Sequence, residues 1–380
     1  MTIALAVVLV ASWVYWLASV ACARRVLTPQ THTDLFVPPV SILKPVRGLD
    51  FEARKNFLSH CEQRYPEFEV VFGVTSADEP VVPLITELQR TYGPDRVRLV
   101  IAPHEAPNPK AGLLAELARR ARYDIIVATD SDVRLPPDGV ARAIAPLADP
   151  SVGLVTLLYR GDRVLSIAAA LEALGMDAEF MPSALVGQRV LRTPFALGPG
   201  NAVRRDALDR IGGFDAISSY LADDYQLGFK IGAAGLRVAV GEVVISAVLG
   251  PTSLRTWWTR EVRWARTIRM NRPSGYPGLL VTFSTPLALF ATIALGWWPA
   301  LVASLAIRGY VGWQMTRLMP DIPLRRWFWL MPIRDLLSPL IWFAGLFGRH
   351  VTWRGRTFRV AADGQLHEPP RAPEAARVTP

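Results

Sequence analysis

The stretch Asp124-Ile125-Ile126-Val127-Ala128-Thr129-Asp130-Ser131-Asp132 decides the fold. An uninterrupted apolar run bounded by charge is the pattern of a strand buried on both faces, the habit of parallel sheets. It leads into two carboxylates one residue apart. Ionised carboxylates are costly to bury unless they are paired or hold a metal. Across a loop, alternate residues can turn both side chains toward one hard cation. Mg2+ or Mn2+ takes oxygen ligands and commonly keeps substrate phosphates in its shell. Asp130 and Asp132 are therefore candidate metal ligands, with a nucleotide diphosphate as their partner. A solvated acidic turn has the same local sequence, so the rest of the chain has to decide.

Outward from this strand, Val40-Ser41-Ile42-Leu43 and the runs at 68–74 and 97–101 have the same apolar character. Between them, 51–63, 82–92 and 110–122 have helical length and pattern. A βαβα series from residue 40 to about residue 246 implies an α/β, Rossmann-like domain with a mostly parallel sheet and helices on both faces. Ligands of such sheets bind beyond the carboxyl ends of the strands. Three strand ends bring polar groups to that edge: Asp130, the turn Lys44 to Gly48 after the first strand, and Asp78 after the second. Lys44, in Lys44-Pro45-Val46-Arg47-Gly48-Leu49-Asp50, is suited to nucleotide contact or to a solvated loop. Asp78 can accept hydrogen bonds from a base or ribose, or cap a helix before Glu79-Pro80. Asn108-Pro109-Lys110 fits a helix start with Pro at its first position, or puts Lys110 on a phosphate.

Beyond the acidic turn, 152–159 is another buried strand and 164–190 a single long helical stretch. Residues 195–205, with Gly198 and Gly200, suit a loop and strand open to close backbone approach. Asp223-Asp224 is the second acidic pair. Adjacent carboxylates repel, which raises one pKa if the site is enclosed. A carboxylate placed to take a proton from a hydroxyl is what transfer to an alcohol needs. The first turn of a helix is the competing use, since the dipole favours Asp there. The stretch 257–269 mixes tryptophan and arginine at helical spacing, as suits a helix in the lipid headgroup region. Its Arg263 and Trp264 can also cap an active site.

The chain has 380 residues, 51% of them hydrophobic, and a net charge of +9 carried by arginine more than lysine. One catalytic domain with membrane segments accounts for both, and anionic headgroups explain the charge better than nucleic acid does. No nucleic-acid partner is expected. Cys22 and Cys61 lack metal-type spacing, and a reducing compartment fits. Residues 3–22 are uncharged and long enough to span a bilayer. Arg24 and Arg25 follow, which places the N-terminus outside and the residues after 24 in the cytoplasm. Two short spans are expected near 279–295 and 299–316, with Arg308 awkward in the second. A third apolar segment, 327–348, contains Arg334-Asp335 and two prolines and is read as re-entrant or interfacial. Residues 361–380, rich in Pro, Ala and charge, are expected to be disordered. The resulting layout is an anchor at 1–25, a catalytic domain at 38–250, an amphipathic interfacial helix at 251–276, membrane segments at 277–349 and a cytoplasmic tail at 350–380. A multi-pass protein of a bacterial inner membrane with a cytoplasmic catalytic domain is expected.

The order of motifs resembles the inverting GT-A glycosyltransferases: Asp78, Asn108-Pro109-Lys110, Asp130-Ser131-Asp132, Asp223-Asp224, then Arg260-Glu261-Val262-Arg263-Trp264. More narrowly, Ser41-Ile-Leu-Lys-Pro-Val-Arg-Gly, Ser131-Asp-Val-Arg, Gly153-Leu-Val-Thr, Glu179-Phe-Met-Pro-Ser and Leu221-Ala-Asp-Asp-Tyr resemble the ceramide glucosyltransferase family, a family 21-like group. The likeness covers roughly residues 38 to 276. Hopanoid-pathway glycosyltransferases share much of it. The resemblance implies that Asp78 holds the uridine, that Asp130 and Asp132 serve UDP and a divalent metal, and that Asp224 is the base. It also implies that Arg260, Arg263 and Trp264 form the (Gln/Arg)-x-x-Arg-Trp motif, although Gln or His is commoner than Arg at the first position. The expected reaction moves a hexose, glucose above all, from a UDP-sugar to a lipid alcohol such as ceramide, with inversion. N-acetylglucosamine or another hexose on a hopanoid or other lipid is the alternative. Too few spans are expected for the channel of a processive polysaccharide synthase.

Overall fold

The computed structural model describes residues 2–28, 36–319, 323–353, 356–361 and 363–367. After helix α1 (Thr2–Leu27), strands and helices alternate: β1 (Val40–Pro45), α2 (Ala53–Cys61), β2 (Phe68–Val74), α3 (Val82–Tyr92), β3 (Val97–Ile101), α4 (Pro109–Arg120) and β4 (Ile125–Thr129). The sheet unit continues with β5 (Val133–Arg134), α5 (Gly139–Ile144), β6 (Val152–Val164), α6 (Ile167–Gly175), α7 (Met181–Arg189), β7 (Gly200–Arg204), α8 (Arg205–Arg210), α9 (Asp223–Ala233) and β8 (Arg237–Gly250). Four helices follow, α10 (Leu254–Asn271), α11 (Ser284–Leu295), α12 (Trp298–Leu318) and α13 (Met331–Gly345). The described chain closes with β9 (His350–Trp353), β10 (Arg356–Val360) and β11 (Leu366–His367).

The α/β expectation is borne out. One sheet runs in the order β3-β2-β1-β4-β7-β6-β8-β5. Its first four strands are parallel and carry the βαβα series. Beyond them β7 lies antiparallel to both β4 and β6, so the sheet is mixed from that point. Strand β4 is buried along its whole length, as are β1 and β2. Apolar groups on both faces of these strands form two cores, one on each side of the sheet. This is where burial of hydrocarbon stabilises the domain.

Three expectations are corrected. The stretch 164–190 is not one helix: a π-helical turn, Met176–Phe180, separates α6 from α7. Pro182 has no N–H to give the carbonyl of Ala178, one turn back. That carbonyl instead accepts from Arg308 Nη1 at 2.9 Å. The second correction is Arg308 itself. It is buried in α12 and forms a two-pronged pair with Asp335 of α13, with Nη2 to Oδ1 at 2.8 Å. Its guanidinium also lies 3.9 Å from the Trp16 ring centroid of α1. An arginine that is awkward in a lone span is satisfied once three helices meet around it. The third concerns the tail, where residues 363–367 are ordered. Leu366 is buried with Val351, Phe358, Val360 and Leu221, and this small core gives the segment a reason to fold. The expectation of disorder for 368–380 lies outside the described residues.

Among the described residues, α1 is the one helix long and apolar enough to cross a membrane. A second qualifies if the 3-10 turn Tyr276–Thr282 and α11, bent by 68° against each other, count as one span. The segment 327–348 is a 3-10 turn, Pro323–Leu330, leading into α13. Arg334 and Asp335 of α13 are buried against the protein. Cys22 and Cys61 are both free.

Candidate active site

The acidic turn is assembled from below. Asp130 N–H donates to Pro199 at 3.1 Å, and Val133 N–H returns to the Asp130 carbonyl at 3.3 Å. Under the turn lies Lys44, at the end of β1 and fully buried. Its amine donates to the Asp130 carbonyl at 2.6 Å and sits 3.4 Å from both the Val133 carbonyl and the Thr129 hydroxyl. Burial pushes this amine down to about 7, against the opposing pull of Asp132, Asp130 and Asp50. The sequence suggested a nucleotide contact for Lys44; its amine faces the underside of the turn and fixes the turn's shape. Asp50, in the turn after β1, carries no signal of its own in the sequence, yet it stands beside the acidic turn. It accepts from the Ser131 hydroxyl. Burial, with the neighbouring charges of Asp130 and Asp50, raises Asp132 to about 7. Three carboxylates crowd one turn, and the amine beneath them is spent on carbonyls.

Lys110 ties this turn to the second acidic pair. The Asn108 side chain caps α4 by accepting from Ala111 N–H at 3.0 Å, with Pro109 in the first turn. The helix cap is thus observed, and it sets Lys110 beside both acidic pairs. Lys110 Nζ lies 2.6 Å from Asp130 Oδ1 and 3.9 Å from Asp223 Oδ2. It also donates to the Gly198 carbonyl at 2.9 Å. Burial opposes its charge, but Asp130 and then Asp223 outweigh burial and hold its pKa above the usual lysine range.

Asp223 and Asp224 occupy the first turn of α9, the place that the helix dipole favours. Asp224 Oδ1 accepts from Tyr225 N–H at 2.8 Å. Its other oxygen faces Gly198, where a Cβ would stand 3.2 Å away, so that glycine lets the loop approach the carboxylate closely. Burial, then the charge of Asp223, pushes Asp224 up to about 6. Burial also raises Asp223, with Lys110 opposing. A small cavity lies among Lys110, Gly198, Asn201, Asp223 and Asp224.

Arg263 comes from α10. Its guanidinium is 6.0 Å from the Trp264 ring centroid, and it forms no ion pair among the described residues. Burial and then Arg260 lower its pKa, while Asp224, Glu172 and Asp223 pull it back. Arg260 is held elsewhere, by the fully buried Glu172 of α6. Asp78 lies in an exposed turn beyond β2, where its side chain accepts from Ser76 at 3.4 Å. The structure thus gathers Asp130, Asp132, Lys44, Lys110, Asp223, Asp224 and Arg263. Asp78 stands on a separate exposed turn, Arg260 is turned to α6, and Trp264 is packed against the core.

Tyr159 of β6 was missed. Its ring packs on Phe180 at 6.1 Å between centroids. Burial, then Asp224 as the foremost nearby charge, raises its phenol far above the usual range. The period-two pattern of a strand says that Tyr159 is buried, not that its hydroxyl lies near an acidic pair of another element.

Among the described residues, no group of three or more His, Cys, Asp or Glu side chains is disposed to hold a metal unaided. Asp130 and Asp132 nevertheless fit a hard cation that completes its shell with phosphate oxygens, the usual arrangement for Mg2+. Crowding by Asp50 gives these carboxylates a surplus of negative charge for such a cation to relieve.

The sequence profile described as Glycosyl transferase family 21 matches residues 3–366. Ceramide glucosyltransferase 3 of Caenorhabditis elegans is 25% identical over 355 residues, covering 88% of this chain and 76% of that protein. The ceramide glucosyltransferase of Komagataella phaffii is 22% identical over an alignment of 444 positions, covering 87% of this chain and 85% of the relative. Among solved structures, the mannosyltransferase PcManGT from Pyrobaculum calidifontis, in complex with GDP-Man and Mn2+, matches with a TM-score of 0.52 at 22% identity. That match covers 90% of this chain and 98% of PcManGT, and the likeness is one of fold.

Proposed function

The chain belongs to glycosyl transferase family 21, and from that premise we propose that it moves glucose from UDP-glucose to the hydroxyl of a membrane lipid alcohol such as ceramide, inverting the anomeric carbon. One observation carries the proposal: Lys110 lies within ion-pair distance of Asp130 in the first acidic motif and of Asp223 in the second. Donor diphosphate and acceptor hydroxyl would then meet across one amine. The names of the relatives support ceramide as acceptor. Nothing in the site favours N-acetylglucosamine or a hopanoid over that pair.

In this mechanism Asp224 takes the proton of the acceptor hydroxyl while that oxygen forms its bond to the anomeric carbon and the UDP oxygen leaves on the opposite face. An alcohol scarcely ionises near neutral pH, so the base is needed in the transition state. Asp224 suits the task because burial and Asp223 raise its proton affinity, while Tyr225 N–H fixes one of its oxygens. Lys110 and Arg263 offer positive charge to the departing diphosphate. Asp130 and Asp132 would hold the divalent cation, Mg2+ or Mn2+, whose chemistry is to neutralise that developing charge. Lys44 keeps the turn that carries them in shape. Asp78, on its exposed turn, is assigned to the uridine.

The protein is proposed to work at a cytoplasmic membrane surface, held there by α1 and by the apolar faces of the C-terminal helices. Ile3, Val7, Val10 and Val14 of α1, Phe290 and Ile293 of α11, and Leu340 and Phe343 of α13 expose their side chains. Such a band suits lipid contact. The test is incubation of membranes containing the protein with UDP-glucose, UDP-N-acetylglucosamine or GDP-mannose, each with ceramide or a hopanoid alcohol. Glucosylceramide of inverted configuration with Mg2+ or Mn2+ present is the expected product. Release of UDP with none of these lipids, or transfer to the hopanoid alone, overturns the acceptor assignment.

A further inference from the structure

The loop that leads into Asp223 is pinned from two sides. On one side stands the capping residue of α4: Asn108 N–H donates to the Ser218 carbonyl at 2.8 Å, and its side-chain amide donates to the Tyr220 carbonyl at 2.8 Å. On the other side stands the end of the described chain. Leu221 N–H donates to Gly364 at 3.2 Å, and Leu366 N–H donates to Ser219 at 2.7 Å. Tyr220 and Gln365 face each other as a single antiparallel bridge. The contact is also apolar, because Leu221 is buried with Val351, Phe358, Val360 and Leu366, and Met270 of α10 packs against the group.

The same segment lies against α10, and α10 is tied in turn to α9. A Cβ at Gly364 would stand 3.3 Å from Asn271 Oδ1 at the end of α10. That oxygen accepts from Gln226 at 3.3 Å, two residues after Asp224. Arg266 and Arg269 of α10 donate to the carbonyls of Phe347 and Gly348, at 2.8 Å in each case, just before β9. The helix carrying Arg263, the helix carrying Asp224 and the C-terminal sheet thus form one stitched unit.

We propose that residues 363–367 are a clasp that completes the active site by holding the 219–221 loop, and through it Asp223 and Asp224, in register with Lys110. The proposal rests on the reading of Asp224 as the base. The clasp residues touch no reacting atom on this reading; they are positioning residues. Asp224 follows the clasped Leu221 by three residues, so release of the loop lets the carboxylate drift from the acceptor hydroxyl. Misplacement of a reacting group by about 1 Å can cost about 10²-fold in rate. Donor binding should change little, since Asp130, Asp132 and Lys44 belong to the other side of the site.

Two truncations of the full membrane-bound chain test this. A chain ending at His367 keeps the clasp and should retain kcat. A chain ending at Val360 lacks it, and kcat should fall by about 10²-fold with the KM for UDP-glucose within about twofold. Full turnover after the shorter truncation overturns the proposal, as does a fall in kcat matched by equal loss of donor binding and of thermal stability. A crosslink covers the case in which the shorter chain fails to fold. Facing residues of an antiparallel bridge approach closely enough for a disulfide, so Tyr220→Cys with Gln365→Cys can lock the clasp shut in the intact chain. The oxidised form should turn over at least as fast as the reduced form; inactivation on oxidation, reversed by thiol, overturns the proposal. Asp224→Asn keeps the two ideas apart. Normal turnover there removes the base, whereas the truncation and crosslink report on the clasp.

Discussion

Two regions of this protein bury charge, and they do so in opposite ways. At the strand ends, five carboxylates, those of Asp50, Asp130, Asp132, Asp223 and Asp224, gather around the amines of Lys44 and Lys110, and the Lys44 amine is turned to backbone carbonyls. At the seam between the sheet unit and the C-terminal helices, charges find partners within the chain. Arg334 meets Glu261 at 2.9 Å and Glu179 at 3.2 Å, Arg308 meets Asp335, and Arg260 meets Glu172. A cluster closed by its own counter-charges is a structural joint. A cluster in which five carboxylates face two amines is, on the function proposed, built for something that arrives, a cation, a proton or both.

The contrast predicts a different failure for each region. The largest effect belongs to the open cluster. Asp132→Asn should abolish transfer while the protein stays folded and membrane-bound. Chelation should do the same to the unaltered enzyme, and full activity in excess chelator would erase the distinction between the two clusters. Next comes Asp224→Asn, which keeps size and removes the base. Turnover should fall about 10²–10⁴-fold with donor affinity nearly unchanged, and Asp223→Asn should cost less. Titration calorimetry with UDP-glucose beside a turnover assay separates the two effects.

The closed seam should fail through stability. Arg334→Ala leaves the buried Glu261 without its partner and the half-buried Glu179 with only the Ser338 hydroxyl, and loss of one member of a buried pair costs about 3–5 kcal/mol. The melting temperature should drop, and residual activity should track the folded fraction. Adding Glu261→Ala should recover part of the loss, and a double-mutant cycle without such coupling would show that the seam is not the joint described. The smallest effect is in pH. With Asp224 raised to about 6, the base is deprotonated above that value and lost as pH falls through it. The acid limb of kcat/KM should therefore turn near pH 6 and fall about tenfold per pH unit below. A limb near the ordinary carboxylate value would mean that the second acidic pair is as open to water as the surface.

The alternation of short apolar runs with helical periods was enough to give the α/β class, the parallel half of the sheet and the edge at which the candidate carboxylates gather. Apolar spacing is a local property written along the chain, and strands buried on both faces leave a distinct mark. The candidate carboxylates could be named for a similar reason, since ionised side chains at the exits of buried strands are poorly explained by stability alone. The break at residues 176–180 could have been suspected from Pro182, which removes one helical bond, but which group takes up the orphaned carbonyl depends on Arg308, far along the chain. Lys44 shows the same limit. Its position at a strand end was legible, yet whether its amine faces a nucleotide or the underside of a turn depends on elements separated in sequence. The C-terminal segment misled by composition: Pro, Ala and charge predict no core, but one leucine at 366 finds four apolar partners in three dimensions. The sequence by itself therefore determined which elements form and which residues carry charge to the sheet edge, because periodicity and the cost of burying charge act locally. Only the tertiary structure decided which charges are matched and which are left over, because a counter-charge is supplied by whichever distant element packs alongside.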